Sequence, residues 1–259
     1  DRGFDLLDRL QDLPGPDDDS ARAAAARESR LTKPAGALGR LEELTAWLCA
    51  WQGRHPPRIE RPLVCVFAGN HGVAARGVSA YPASVTAQMV RNFEAGGAAI
   101  NQLCNEAGAR LRVHDMAVDR PTNDFTEGPA MDEADCVAAF DQGMRAVEPD
   151  ADLLCVGEMG IGNTTAAAAV CLALFGGQAQ DWVGPGTGVS GPALANKAQI
   201  VAKGVERNRA AVTHPLQALR CLGGREFAAI CGAIVAARAK HAAASRRNPR
   251  VIQLFGACN

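Results

Sequence analysis

The sequence predicts an α/β protein: a doubly wound, mainly parallel sheet with helices on both faces, plus a small helical subdomain from the N-terminal region. Two observations carry this. Short apolar runs at 63–67, 111–114 and 152–156 are each followed by a helix-length stretch, the alternation that builds parallel sheets. Glycine-rich turns stand at the carboxyl ends of such runs, AGNHG after the first and GEMGIGNTT after the third. Ligands bind at that edge in open α/β sheets.

The elements follow in order. Residues 1–20 are polar and broken by Pro14 and Pro16, and Asp17 to Ser20 supply a cap for a helix through ARAAAARESRL. LTKPAGALGR, with Pro34 and Gly36, is a loop. A second helix covers 38–52, where Leu38, Leu41, Leu44, Leu48 and Trp51 recur at helical spacing. After Pro56 and Pro57 the strand–turn–helix alternation begins. Helices are expected over 82–106, with a soft spot at Gly96-Gly97, and over 132–147, through AAAAVCLALF, and over 192–212 and 225–241. GGQAQDWVGPGTG reads as a loop, and 251–255 as a last strand. The chain thus divides into a helical subdomain (1–55), a Rossmann-like nucleotide-binding domain (56–241) and a divergent tail (242–259).

Composition narrows the function. The chain has 259 residues, 47% apolar and 21% charged, with a net charge of −1. No overall field recruits nucleic acid or an anionic membrane. Only Arg246, Arg247 and Arg250 cluster. Nine cysteines contain no CxxC pair, and most lie inside apolar runs. They read as buried, reduced thiols in a cytosolic protein. No apolar stretch reaches the roughly 18 residues of a membrane span, and no signal peptide opens the chain. The first residue is Asp1, not Met, so the chain is not expected to be an intact gene product.

Three turns carry candidate chemistry. Gly157 to Thr165 follows a strand and opens a helix, so its backbone N–H groups and the helix N-terminus favour an anion. Asn163, Thr164 and Thr165 add side-chain donors; a capped strand-to-helix turn without ligand is the alternative. There is no GK[ST], so this is not a P-loop. Glu158 would repel the anion unless it faces a second ligand, as a general base or hydrogen-bond acceptor; the alternative is a solvated loop glutamate. Trp182 to Gly188 (WVGPGTG) offers another close backbone approach, with Lys197 on the following helix able to reach a phosphate as a point charge. The alternatives are a surface turn and a solvated lysine. His71, in AGNHG, has no visible acidic orienter nearby and reads as a hydrogen-bonded structural histidine. No paired acidic residues follow a strand, as metal-pyrophosphate handling would need, and there is no GxSxG or HExxH.

Taken together, LTKPAGALGRLEEL (31–44), FAGNHGVAARGVSAYPASVTAQMV (67–90), GEMGIGNTTAAAA (157–169), DWVGPGTG (181–188), NKAQIV (196–201) and LGGREFAAICGAIVAAR (222–238) resemble the nicotinate-nucleotide:dimethylbenzimidazole phosphoribosyltransferase family. The resemblance runs in the family's order from about residue 10 to about residue 241. It implies transfer of the ribose phosphate of nicotinate mononucleotide to 5,6-dimethylbenzimidazole, giving α-ribazole 5′-phosphate and nicotinate in cobalamin nucleotide-loop assembly. It implies no cofactor and no metal: the donor base is already a pyridinium and leaves neutral. By resemblance, Gly160, Asn163 and Thr164 sit at the nucleotide's phosphate or ribose, with Gly184, Gly186 and Lys197 on the same side. Tyr81, Pro82, Val85 and Met89 match the stretch around the acceptor base, with Met159 beside it. A smaller residue stands at the place of Tyr81 in some members, which leaves the acceptor's identity open. Family members dimerise, so a homodimer is expected.

The tail departs from the pattern. The family continues after the helix ending near Arg238 into a strand, a phosphate loop and a segment whose glutamate is the general base, whereas this chain reads HAAASRRNPRVIQLFGACN. No residue inherits the base role, and Glu158 is the candidate left. The expectation is that this chain alone makes α-ribazole phosphate hardly above background. Two alternatives stay open: a nucleotide-binding homologue without turnover, and a subunit of a hetero-oligomer.

Overall fold

The computed structural model describes Leu10, residues 13–243 and residues 251–254. Cys258, Arg246, Arg247 and Arg250 lie outside the described residues.

The chain enters through two helices, α1 (Asp18–Glu28) and α2 (Arg40–Gln52). Asp17 caps α1, its carboxylate accepting from the Ser20 amide at 2.6 Å. The two helices pack on each other. Trp51 of α2 lies under the Arg238 guanidinium, 3.9 Å from the ring centroid, which ties this pair to the rest.

Strand β1 (Pro62–Ala68) is central. It pairs in parallel with β2 (Arg110–Asp115) on one side and with β3 (Leu153–Met159) on the other. A fourth strand, β4 (Val251–Leu254), pairs in parallel with β3, giving the order β2-β1-β3-β4. The parallel sheet is therefore the one expected. Buried Asp152 aligns the amino ends: its carboxylate accepts from the amides of Glu60 at 2.6 Å and Arg61 at 2.9 Å. Alternation along β1 sends Leu63, Cys65 and Phe67 to one face and Val64 and Val66 to the other.

The first face meets α5 (Glu133–Ala146) and α10 (Arg225–Ala243) in a core of Leu63, Cys65, Phe67, Leu154, Val156, Ala139, Ala229 and Ala233. α5 and α10 touch backbone to backbone. A Cβ on Gly143 would collide with the Ala229 carbonyl, and one on Gly232 with that of Phe140. Arg225 pins the start of α10 to α5 through Asp135, an ion pair at 2.7 Å. Cys65 and Cys136 belong to this core, and burial pushes both thiols up to about 12. They pack as small hydrophobes, and the eight cysteines among the described residues are all free.

Between β1 and β2 run α3 (Ser84–Glu94) and α4 (Ala99–Ala107), separated at Gly96 and Gly97, the soft spot of the sequence. After β3 come α6 (Asn163–Phe175), the short α7 (Ala179–Trp182), α8 (Gly191–Asn208) and α9 (Pro215–Leu222). A second core joins α6, α8 and α9 through Ala166, Ala169, Ala198, Val201 and Leu222. Two of these helices have no counterpart in the sequence reading. α7 is a single turn inside GGQAQDWVGPGTG. α9 is short, although Pro215 at its first turn and Leu216, Leu219 and Leu222 at helical spacing mark it. No helix among the described residues is long and apolar enough to cross a membrane.

Candidate functional site

The site gathers where β1 and β3 end. Gly162, at φ 95°, turns the chain from β3 into α6, and the turn is closed by its own bonds: the Asn163 amide donates to the Gly160 carbonyl at 3.1 Å and the Thr164 amide to Asn163 Oδ1 at 2.7 Å. Gly160 is placed by contact: a Cβ there would collide with the Gly69 carbonyl of the neighbouring β1 turn. The Gly69 amide in turn donates to the Met159 carbonyl at 2.9 Å. The two glycine turns found in the sequence are thus in direct contact.

Asn163 and Thr164, successive residues at the start of α6, each hold one charged group. Asn163 donates through Nδ2 to Glu158 Oε2. Thr164 Oγ1 accepts from Lys197 Nζ at 2.8 Å, and the Gly184 carbonyl accepts from the same ammonium at 2.9 Å. Lys197 is 1% exposed. Its bonds are to a hydroxyl and a carbonyl, and desolvation lowers its pKa with no carboxylate opposing it. A buried cation without a counter-ion is costly, and an anion at the helix N-terminus would offset that cost. Gly186, at φ 53°, lies against the same two side chains: a Cβ on it would stand 2.8 Å from Thr164 Oγ1 and 2.9 Å from Lys197 Nζ. Gly160, Asn163, Thr164, Gly184, Gly186 and Lys197 therefore share one place.

Glu158 is half-buried at the end of β3. Burial pushes its carboxyl up to about 7; the Asn163 hydrogen bond opposes the rise, the Glu226 charge adds to it and His71 opposes it. A carboxyl with that midpoint exchanges a proton near neutrality.

Of the residues expected around the acceptor base, Tyr81, Pro82, Val85 and Met89 lie on the segment leading into and along α3, and Met159 stands at the end of β3. Tyr81 is 56% exposed, Pro82 is exposed, and Val85, Met89 and Met159 are half-buried. The segment from Tyr81 to Met89 is fastened to the turn after β3 through buried Asn70 and Thr86. Asn70 Nδ2 donates to the carbonyls of Ala83 at 3.3 Å and Val118 at 2.9 Å. Thr86 Oγ1 donates to Asn70 Oδ1 at 2.6 Å and accepts from the Ile161 amide at 3.0 Å. Ser79 and Thr187 meet at 2.9 Å, linking the WVGPGTG turn to the same segment.

The reading of His71 needs correction. Its acidic partner is Glu226, at the start of α10 and 2.7 Å away, with both side chains almost fully buried. The two residues are remote in sequence and meet only because α10 begins at the sheet edge. Asn70, Thr86 and Glu226 are not singled out by the sequence. Their motifs are visible there, but nothing in those motifs states that three separated segments converge.

Fold and edge together define an α/β protein with two glycine turns in contact at the sheet edge, a buried lysine and a carboxyl that burial pushes up to about 7. A profile of the family described as Phosphoribosyltransferase matches residues 13–244, and the chain belongs to that family. Among relatives, the nicotinate-nucleotide–dimethylbenzimidazole phosphoribosyltransferases of Brucella anthropi and Brucella suis are 56% identical over 234 residues, covering 90% of this chain and 69% of theirs. The crystal structure of CobT from Thermus thermophilus is similar at a TM-score of 0.75 and 37% identity, covering 92% of this chain and 81% of that one. A second crystal structure, of the nicotinate-nucleotide-dimethylbenzimidazole phosphoribosyltransferase of the same organism, gives 0.74 and 36%, covering 93% and 81%.

Proposed function

We propose that the chain transfers the phosphoribosyl group of nicotinate mononucleotide to a benzimidazole-type base, 5,6-dimethylbenzimidazole by the name its relatives carry, in cobalamin nucleotide-loop assembly. One observation carries the reading: Asn163 and Thr164, successive residues at the start of α6, bond Glu158 and Lys197 respectively. A ligand spanning that point meets a cation at its phosphate end and a carboxyl at its reacting end.

The chemistry follows from the substrates. The C1′–N bond breaks, its electron pair returns to the pyridinium, and nicotinate leaves neutral at the ring. A benzimidazole nitrogen attacks C1′ from the opposite face, which inverts β to α. The other ring nitrogen gives up its proton. Lys197 and the Thr164 hydroxyl hold the phosphate, with Gly160, Asn163, Gly184 and Gly186 shaping the place it occupies. Glu158 accepts the proton. Tyr81, Pro82, Val85, Met89 and Met159 form an apolar slot for a flat ring, and Thr86 fixes that slot relative to the turn. Holding both substrates in line supplies much of the acceleration.

Incubating the protein with both substrates, followed by liquid chromatography, tests the reading: nicotinate and α-ribazole 5′-phosphate formed in equal amounts well above background support it and overturn the expectation of near-background turnover. Nicotinate mononucleotide that binds but is never consumed would favour a nucleotide-binding role instead. We place the protein in the cytoplasm, in keeping with its free cysteines, and as a homodimer, in keeping with exposed Leu38 and Leu41 beside α2. Sedimentation as a monomer at tens of micromolar would remove the dimer.

A further inference from the structure

The WVGPGTG turn has two sides, and the transfer scheme uses only one of them. On the first, the Gly184 carbonyl accepts from Lys197 Nζ at 2.9 Å, and Gly186 lies against Thr164 and Lys197. On the second stands Thr187. Its hydroxyl lies 2.9 Å from Ser79 Oγ and accepts from the Ala80 amide at 3.2 Å. Ser79 Oγ in turn accepts from the Tyr81 amide at 3.2 Å. Two hydroxyls, one donating to the other, thus gather residues 79–81 onto the turn. Thr187 follows Gly186 directly, so a single peptide bond joins the surroundings of Lys197 to the start of the acceptor segment. A second bond runs the same way: Asn196, next to Lys197 on α8, donates through Nδ2 to the Arg76 carbonyl at 3.0 Å.

We propose that Thr187 is a positioning residue that couples the two substrate sites: a nucleotide held at Lys197 sets the place of Tyr81, and with it the edge of the acceptor slot. This rests on the function proposed above, in which Lys197 holds the donor's phosphate and Tyr81 borders the acceptor. The turn between them is largely bare backbone. Gly184, Gly186 and Gly188 bring no side chains to fix it, Gly186 and Gly188 stand at φ 53° and 107°, and Gly184, Pro185 and Gly188 are exposed. A turn with so little packing of its own takes its place from the groups it bonds. A ligand moves such an element only if it treats two placements differently. The Lys197 ammonium supplies that difference, because a phosphate there shares it with the Gly184 carbonyl. The resulting shift reaches Ser79, Ala80 and Tyr81 through the Thr187 hydroxyl. Linkage runs both ways, so an acceptor that fixes Tyr81 favours the nucleotide by the same factor. Both substrates are then held in line together.

Tyr81 is the chain's one tyrosine, so protein grown with ring-fluorinated tyrosine reports on it through a single fluorine NMR signal. Titration with nicotinate mononucleotide alone, where no acceptor is present and no transfer to it can occur, is expected to move this signal to a saturating shift. Thr187→Val removes the hydroxyl with little change of shape. It is expected to abolish the shift while calorimetry gives a nucleotide affinity within about threefold of the unaltered value, and Thr187→Ser is expected to restore the shift. A shift of full size in Thr187→Val, or none in unaltered protein that binds the nucleotide, overturns the proposal. Should Thr187→Val not fold, Ser79→Ala, which removes the other hydroxyl, carries the same expectation. A role in folding alone would lower the melting temperature of Thr187→Val and leave the shift in place. Calorimetry separates the two levels. If the unaltered protein does not bind the nucleotide, the reading of the site fails and takes the proposal with it. If it binds and Thr187→Val leaves the shift unchanged, the proposal alone fails.

Discussion

Replacing Glu158 with glutamine is expected to slow phosphoribosyl transfer by about 10²–10⁴-fold, the usual worth of a positioned general base. The substitution keeps the shape and the partner: a glutamine carbonyl still accepts from Asn163, so nicotinate mononucleotide affinity is expected to hold within about threefold, less than 1 kcal/mol. The pH profile carries the sign. An acceptor must be ionised, and burial pushes the Glu158 carboxyl up to about 7. The rate is therefore expected to rise with pH through about 7 and level off above it, and this rise should vanish in Glu158→Gln. Steady-state rates on both sides of that midpoint test both points. A variant within a few-fold of the unaltered rate, with the same profile, would assign the proton to another group.

Replacing Lys197 with methionine is expected to weaken nicotinate mononucleotide binding by about 10- to 100-fold, the range of a hydrogen bond to a charged group. Stability is expected to move the other way. Lys197 is 1% exposed and bonded to a hydroxyl and a carbonyl, and an apolar side chain of similar length removes the cost of burying an ammonium there. Calorimetry on the nucleotide and thermal unfolding without it should therefore diverge, with affinity falling and the melting temperature unchanged or higher. Unchanged affinity would place the phosphate elsewhere. A fall in both would make Lys197 a part of the fold rather than of the anion site. Gly160→Asp is a poorer probe of the same pocket. The first atom of any side chain at Gly160 collides with the Gly69 carbonyl, so that variant disturbs the crossing of the turns before it meets a ligand.

Much of the architecture is readable along the chain, because a parallel sheet announces itself locally. The runs at 63–67, 111–114 and 152–156 are too short for helices, and each is followed by a helix-length connection. The structure pairs all three in parallel. The break at Gly96-Gly97 and the Asp17 cap are equally local. What local pattern does not yield is α9, whose eight residues lie at the lower limit of helix length, and the single turn α7.

The candidate site divides in the same way. The glycine turns, Glu158 and Lys197 can be picked out from the sequence because turn chemistry and charge are properties of single residues and their immediate neighbours. That Lys197 is buried against Thr164 and Gly184, that Thr86 joins α3 to the Ile161 amide, and that His71 has Glu226 as its counter-ion were decided only by the tertiary structure. Each depends on helices α3, α8 and α10 arriving at one sheet edge. Desolvation, which lowers Lys197 and raises Glu158, belongs to no residue alone; it is the effect of everything packed around them.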